Sequence, residues 1–220
     1  MSIKAVLFDH DGTLVDSEGI HCQIWQTVLS RYNIVLPSHE YEKKFVGLQS
    51  IDIARQLARN DDCPVTADVL FTQKKQLVNE YLADNAFPLI KDVLAVMQSL
   101  KQAGITMAIV TGASRASVRS SVKAYGLAQY VDVVVSSDDV INNKPAPDPY
   151  LLAVKQLGLQ VNDCVAVEDS ETGLASAHSA GVPCLTVESA LTPQHNLEKS
   201  SKHCKNLTEV QHWVLNHLIA

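Results

Sequence analysis

The sequence predicts an α/β protein, a doubly wound parallel sheet carrying a small α-helical domain inserted after the first strand. Three observations lead there. Short β-branched runs alternate with helical patterns along most of the chain. Those runs are apolar at most positions, as strands covered on both faces require. One long interval near the N-terminus keeps helical periodicity and shows no strand. Alternating strands and helices build parallel sheets, because each helix carries the chain back to the end of the sheet from which the next strand starts.

Taken in order, the first run is IKAVLF at 3–8, followed by FDHDGTLVDSE at 8–18, in which Gly12 lets the backbone turn. Apolar residues then recur at helical spacing: Ile20, Ile24, Val28 and Tyr32; Ile51, Ala54, Leu57 and Ala58; Val69, Leu70, Leu77 and Tyr81. A structureless loop of that length would be improbable in a compact domain, so 17–84 reads as a helical domain with its own core. Residues 1–16 and 85–220 then form the main domain, with hinges near Asp16 and Asp84 and with Pro88 marking the return to the sheet. There the pattern alternates: helix 88–103, strand 105–110, helix 117–125, strand 131–135, helix 149–157, strand 164–167, helix 170–180 and strand 183–187. Gly104, Gly126, Gly158 and Gly181 follow the four helices, where a left-handed residue ends a helix at least cost. Trp25 and Trp213 fall in apolar helical stripes and read as core.

Composition narrows the function. The chain has 220 residues, 46% of them hydrophobic, and a formal charge of -6. That balance argues against nucleic-acid or anionic-membrane binding, and no block of Lys and Arg offers a local exception. The five cysteines, Cys22, Cys63, Cys164, Cys184 and Cys204, are odd in number and form no CxxC pair, which fits reduced thiols better than a disulfide or zinc framework. With no secretory leader pattern and no apolar run of membrane-spanning length, the expectation is a cytoplasmic monomer whose partner is a small molecule.

In open α/β sheets, ligands bind beyond the carboxyl ends of the strands. Here the first strand delivers Asp9 and Asp11, the second Thr111 and Gly112, and the fourth Glu168 and Asp169, while Lys144 lies in the loop after the third. Four carboxylates converging on one point would repel one another and resist ionisation unless a cation were present. Mg²⁺ suits hard oxygen ligands and a phosphate-bearing substrate. With the ion and Lys144 in place, the site would accept a phosphate dianion. Thr111 would donate a hydroxyl hydrogen bond to it, and the following helix would add backbone N–H groups. Asp9 would attack phosphorus to form an aspartyl phosphate. Asp11, on the same side of an extended chain, would protonate the leaving oxygen and then activate water. On the same reasoning His10 points away from both aspartates and takes no catalytic role.

The strings DHDGTLVDSE, VTG, NNKPAPDPY and VEDSETG, in this order and spacing, resemble the four motifs of the haloacid dehalogenase superfamily, and the insertion resembles the helical cap of its β-phosphoglucomutase-like phosphatases. The resemblance covers nearly the whole chain. It implies a Rossmann-like core, Asp9 as nucleophile and Asp11 as general acid/base. It further implies Thr111 and Lys144 as phosphate ligands, and Mg²⁺ on Asp9, the Asp11 backbone carbonyl and Asp169, with Glu168 assisting directly or through water. It also brings His21, on the first helix of the insertion, into consideration as a substrate contact. Asp11 disfavours dehalogenation, since that branch lacks the second aspartate.

Hydrolysis of a small phosphorylated metabolite, a sugar phosphate above all, is the leading reading. A sugar phosphomutase is the alternative, and a non-catalytic phospho-acceptor module a weaker one. Mutases of this type anchor a second phosphate with a cap arginine and a serine after the second motif. The corresponding positions here are Ser50 and Ala113, and Arg115 is the residue that could replace one of those anchors. The DGT spelling at Thr13 also leans toward the phosphatases.

Overall fold

The computed structural model describes residues 3–189 and 195–218. Six strands, β1 (Ala5–Phe8), β2 (Thr106–Val110), β3 (Val133–Val135), β4 (Cys164–Glu168), β5 (Cys184–Val187) and β6 (Lys202–Cys204), form one sheet in the order β3-β2-β1-β4-β5-β6. Every neighbouring pair is parallel. The chain builds outward from β1 to β3, then returns to place β4 on the other side of β1. The direction of winding therefore reverses between β1 and β4, and a crevice opens beyond their carboxyl ends at such a reversal.

Strand alternation sorts the core into two layers. Val6 and Phe8 of β1 face one way, with Met107, Ile109, Val165 and Val167. They pack on helices α5 (Val93–Gln102), α6 (Arg115–Tyr125) and α9 (Leu207–Leu215). Ala5 and Leu7 face the other way, with Ala108, Val110 and Ala166, beneath α7 (Asp148–Leu157) and α8 (Glu171–Ser179). Three alanines on that face leave room for the whole Tyr150 side chain, which is fully buried. The N-termini of α6 and α8 are capped by Ser114 and Ser170, whose hydroxyls accept from the Ser117 and Gly173 N–H groups. Gly126 and Gly158 end α6 and α7 at φ 64° and 69°, a left-handed conformation that glycine adopts without a Cβ clash.

The chain divides into two compact units, Met1–Asp16 with Pro88–Ala220, and Ser17–Phe87. The second contains α1 (Glu18–Ser30), α2 (Ser38–Lys44), α3 (Ser50–Leu57) and α4 (Ala67–Asp84), and its own core of Trp25, Val28, Leu29, Tyr41, Phe45, Ile53, Ala54 and Leu70. Its last residues reach past the end of α4 because Phe87 packs on the rings of His21 and Tyr81, at centroid distances of 5.0 and 5.9 Å. The division accordingly falls after Phe87 rather than at Asp84. Among the described residues no helix is long and apolar enough to cross a membrane.

Candidate active site

The strands that flank the reversal carry the charged residues. The Asp9 N–H donates to the Val167 carbonyl at 2.9 Å, which extends the β1–β4 pairing one residue past the strand and holds the Asp9 side chain at the crevice. β4 delivers Glu168 and Asp169 beside it. Asp9, Glu168 and Asp169 are all buried, and each offers an oxygen within 4.8 Å of the other two.

Lys144 lies among them with 7% of its side chain exposed. Its ammonium donates to Asp9 Oδ1 at 2.6 Å, to Glu168 Oε1 at 2.6 Å and to the Val110 carbonyl at 2.7 Å, which uses all three of its protons. Tyr150 lies beneath, its ring centroid 5.1 Å from the ammonium and its hydroxyl donating to Glu168 Oε1 at 2.7 Å. Asn143 sets the loop: its carbonyl accepts from the Lys144 N–H at 2.8 Å, and its amide donates to the Gly112 carbonyl at 3.2 Å. Lys144 is thereby tied to the turn that carries Thr111. Thr111 is buried, and its Oγ1 accepts from the Ala113 N–H at 3.0 Å. Gly112 is exposed.

The electrostatics follow from burial. Loss of water pushes the Asp9 carboxyl up from 3.8 to about 7, with Lys144 pulling it down and Glu168 adding to the rise. Burial likewise raises Asp169 well above the usual carboxylate range, reinforced by Asp9 and Glu168. Burial pulls the Lys144 ammonium down, but the Asp9 and Glu168 carboxylates outweigh it and leave its pKa above the ordinary value. The cluster is short of positive charge.

Two observations fit a hard divalent cation here. Asp169 Oδ2 is buried and, among the described residues, has no hydrogen-bond partner, a costly state for a carboxylate oxygen. The backbone at Gly12, with φ 79°, passes so close that a Cβ there would stand 2.0 Å from that oxygen. The glycine keeps open the space in front of it. The donors are all carboxylate oxygens, the set that Mg²⁺ prefers. Glu168 is more fully engaged than sequence reasoning anticipated, with Oε1 held by Lys144 and Tyr150 and Oε2 accepting from the Ser170 hydroxyl at 3.3 Å.

The remaining candidates are placed as follows. Asp11 sits in the turn after β1 with 30% of its side chain exposed, and its Oδ2 lies 3.1 Å from His10 Nδ1. The expectation that His10 points away from Asp11 is corrected by this contact. Strand geometry ends at Phe8, and the Leu14 and Val15 N–H groups both donate to the His10 carbonyl, curling the chain into a tight turn to which period-two alternation does not apply. Arg115 is not directed at the cluster. Its side chain is 62% exposed and ion-paired with Asp139. His21 belongs to the helical unit and packs edge-on against Phe87. Tyr150, Asn143 and Ser170 were not singled out from the sequence. All three lie within the quoted motif strings, one to six residues from a candidate.

The haloacid dehalogenase-like hydrolase family matches residues 6–187 of the chain. Hexitol phosphatase A of Escherichia coli is 33% identical over 198 residues, covering 89% of this chain and 88% of that protein. Fructose-1-phosphate phosphatase YqaB of the same organism is 30% identical over 187 residues, covering 83% of this chain and 95% of that one. Among solved structures, CbbY from Rhodobacter sphaeroides in complex with phosphate superposes with a TM-score of 0.80 at 25% identity, covering 94% of this chain and 96% of that one.

Proposed function

This chain belongs to the haloacid dehalogenase-like hydrolases, and on that premise we propose that it is a Mg²⁺-dependent phosphatase that hydrolyses a small sugar or polyol phosphate through an aspartyl phosphate on Asp9. The observation that carries the reading is the buried arrangement of Asp9, Lys144 and Asp169 at the reversal of winding. A nucleophilic carboxylate, a fixed cation and a metal-competent carboxylate stand together there. The two Escherichia coli relatives, named for fructose 1-phosphate and hexitol, motivate the substrate class.

Each residue then has a part. Lys144 holds Asp9 Oδ1 in place and lowers the cost of ionising it, which leaves the other carboxylate oxygen to approach phosphorus in line. Thr111 and the backbone after β2 receive the phosphate oxygens at the start of α6. Asp11 protonates the departing sugar oxygen and afterwards takes a proton from the attacking water. Asp9 and Asp169, with the Asp11 backbone carbonyl and assistance from Glu168, would hold Mg²⁺. The bound ion supplies the positive charge that lets a phosphate dianion enter beside three carboxylates. Glu168 and Tyr150 keep Lys144 aimed. The helical unit, His21 included, selects the sugar.

Hydrolysis is preferred over phosphoryl transfer within a sugar bisphosphate. The residue available to anchor a second phosphate, Arg115, is occupied by Asp139, and Ser50 accepts from Lys74 at 2.7 Å. The test is a panel of phosphorylated sugars and polyols with Mg²⁺. The expected result is release of inorganic phosphate without a bisphosphate activator, lost in EDTA. Interconversion of hexose 1- and 6-phosphates with little phosphate released would establish the mutase instead.

A further inference from the structure

We propose that His10 is a positioning residue for Asp11, holding its carboxyl at the angle needed to protonate the leaving oxygen; this rests on the assignment of Asp11 as general acid/base. The ring is completely buried. One nitrogen, Nδ1, lies 3.1 Å from Asp11 Oδ2, and the other, Nε2, lies 3.0 Å from the Ser121 hydroxyl on α6. Ser121 is itself fully buried, and its hydroxyl donates back to the Ser117 carbonyl at 3.5 Å. The imidazole is therefore a strut with both ends fixed, running from a helix in the core to a carboxylate that is 30% exposed.

A short carboxylate on a turn has free rotation about two bonds, and a misaligned general acid loses much of its effect. The turn itself is tightly drawn. The His10 carbonyl accepts from Leu14 and Val15 at 2.8 and 2.9 Å, and the Gly12 N–H donates to the Val15 carbonyl at 2.8 Å. The backbone of residue 10 is thus fixed, so its side chain transmits the position of α6 to Asp11. α6 starts four residues after Thr111. His10 accordingly sets the acid in register with the element that receives the phosphate. An apolar residue at position 10 would fill the same space in the core and provide no such strut.

A merely structural role is separated from this one by the leaving group. An alkoxide must be protonated as it departs, whereas dinitrophenolate leaves without help. The value of kcat/KM reports the steps through departure of the leaving group. The experiment compares kcat/KM for the best sugar phosphate from the panel with that for dinitrophenyl phosphate. The proteins are the wild type, His10→Leu, His10→Asn, Ser121→Ala and Asp11→Asn, all loaded with Mg²⁺. The expected result for His10→Leu is a loss of about 10-fold or more on the sugar phosphate, in the range of a misplaced general acid. On dinitrophenyl phosphate the loss should stay within about 3-fold, since no proton transfer is needed. His10→Asn, whose amide can reach Asp11 from near the Nδ1 position, should recover most of the difference. Ser121→Ala should show a smaller loss of the same selectivity, and it carries the comparison with His10→Asn should His10→Leu fail to fold. Equal losses on both substrates, or no loss on either, would overturn the role of His10 while leaving the phosphatase reading intact. If Asp11→Asn itself shows no leaving-group selectivity, the assignment of Asp11 fails first and the role of His10 falls with it.

Discussion

Lys144 shows how much of this site rests on one side chain. It separates two buried carboxylates and satisfies both, so removing it leaves charge in a dry environment, a change that costs about 3–5 kcal/mol when one partner of a buried pair is lost. Lys144→Met should therefore lower the thermal midpoint sharply at neutral pH. The loss should shrink at acid pH, where Asp9, with its carboxyl raised to about 7, can take up a proton. A midpoint equally depressed at both would place the damage in packing rather than charge. Tyr150→Phe is the milder counterpart. Lys144 and Ser170 still serve Glu168, so the expected loss is one hydrogen bond, about 1 kcal/mol, with turnover reduced but present. The convergence of Asp9, Lys144, Glu168 and Asp169 was legible from the sequence because each stands at the end of an apolar run or inside a turn string. The reach of His10 was not. It depends on where β1 stops, and the boundary of an element is set by tertiary pairing rather than by local pattern.

At the scale of the element, two glycines in helices make opposite predictions from one propensity. Glycine to alanine inside a helix is ordinarily favourable by about 0.5–1 kcal/mol. Gly19 in α1 has nothing within 4 Å of an added Cβ, so Gly19→Ala should raise the thermal midpoint. In α8, a Cβ at Gly173 would stand 1.9 Å from the Glu168 carboxyl carbon. That carboxylate is held by Lys144 and Tyr150 and cannot move aside, so overpacking of about 1–3 kcal/mol outweighs the helical gain. Gly173→Ala should lower both the midpoint and kcat, and a raised midpoint with full activity would show that Glu168 is free to shift. The same scale explains what the sequence concealed. Strands β1 to β5 were legible as apolar runs. β6, the short KHC at the sheet edge, has no such run and exists through its pairing with β5. α2 reads SHEYEKK, with Tyr41 its one buried residue, too little apolar signal to define a period.

For the molecule as a whole, the cluster makes folding depend on pH, and with it the metal binding proposed above. Asp9 and Asp169 have pKa values raised by folding, so the folded state favours their protonated forms. Their contribution to stability is fully present below the ordinary carboxylate pKa of 3.8, and that of Asp9 is lost as pH rises through about 7. In EDTA these two groups should therefore lower the thermal midpoint across that interval. Mg²⁺, binding the ionised carboxylates, should raise the midpoint progressively more toward the upper end. A metal-induced shift as large at pH 4 as at pH 8 would contradict the assignment of these carboxylates. The central claim, that Asp9 itself carries the phosphoryl group, is tested most directly by rapid quench. Enzyme with Mg²⁺ and its best sugar phosphate is stopped in acid within a turnover, digested and weighed by mass spectrometry. The expected result is one added phosphoryl group on the peptide containing Asp9, absent from Asp9→Asn, which releases no phosphate. Phosphate release by Asp9→Asn at a near-native rate, with no phosphorylated peptide in the wild type, would contradict it.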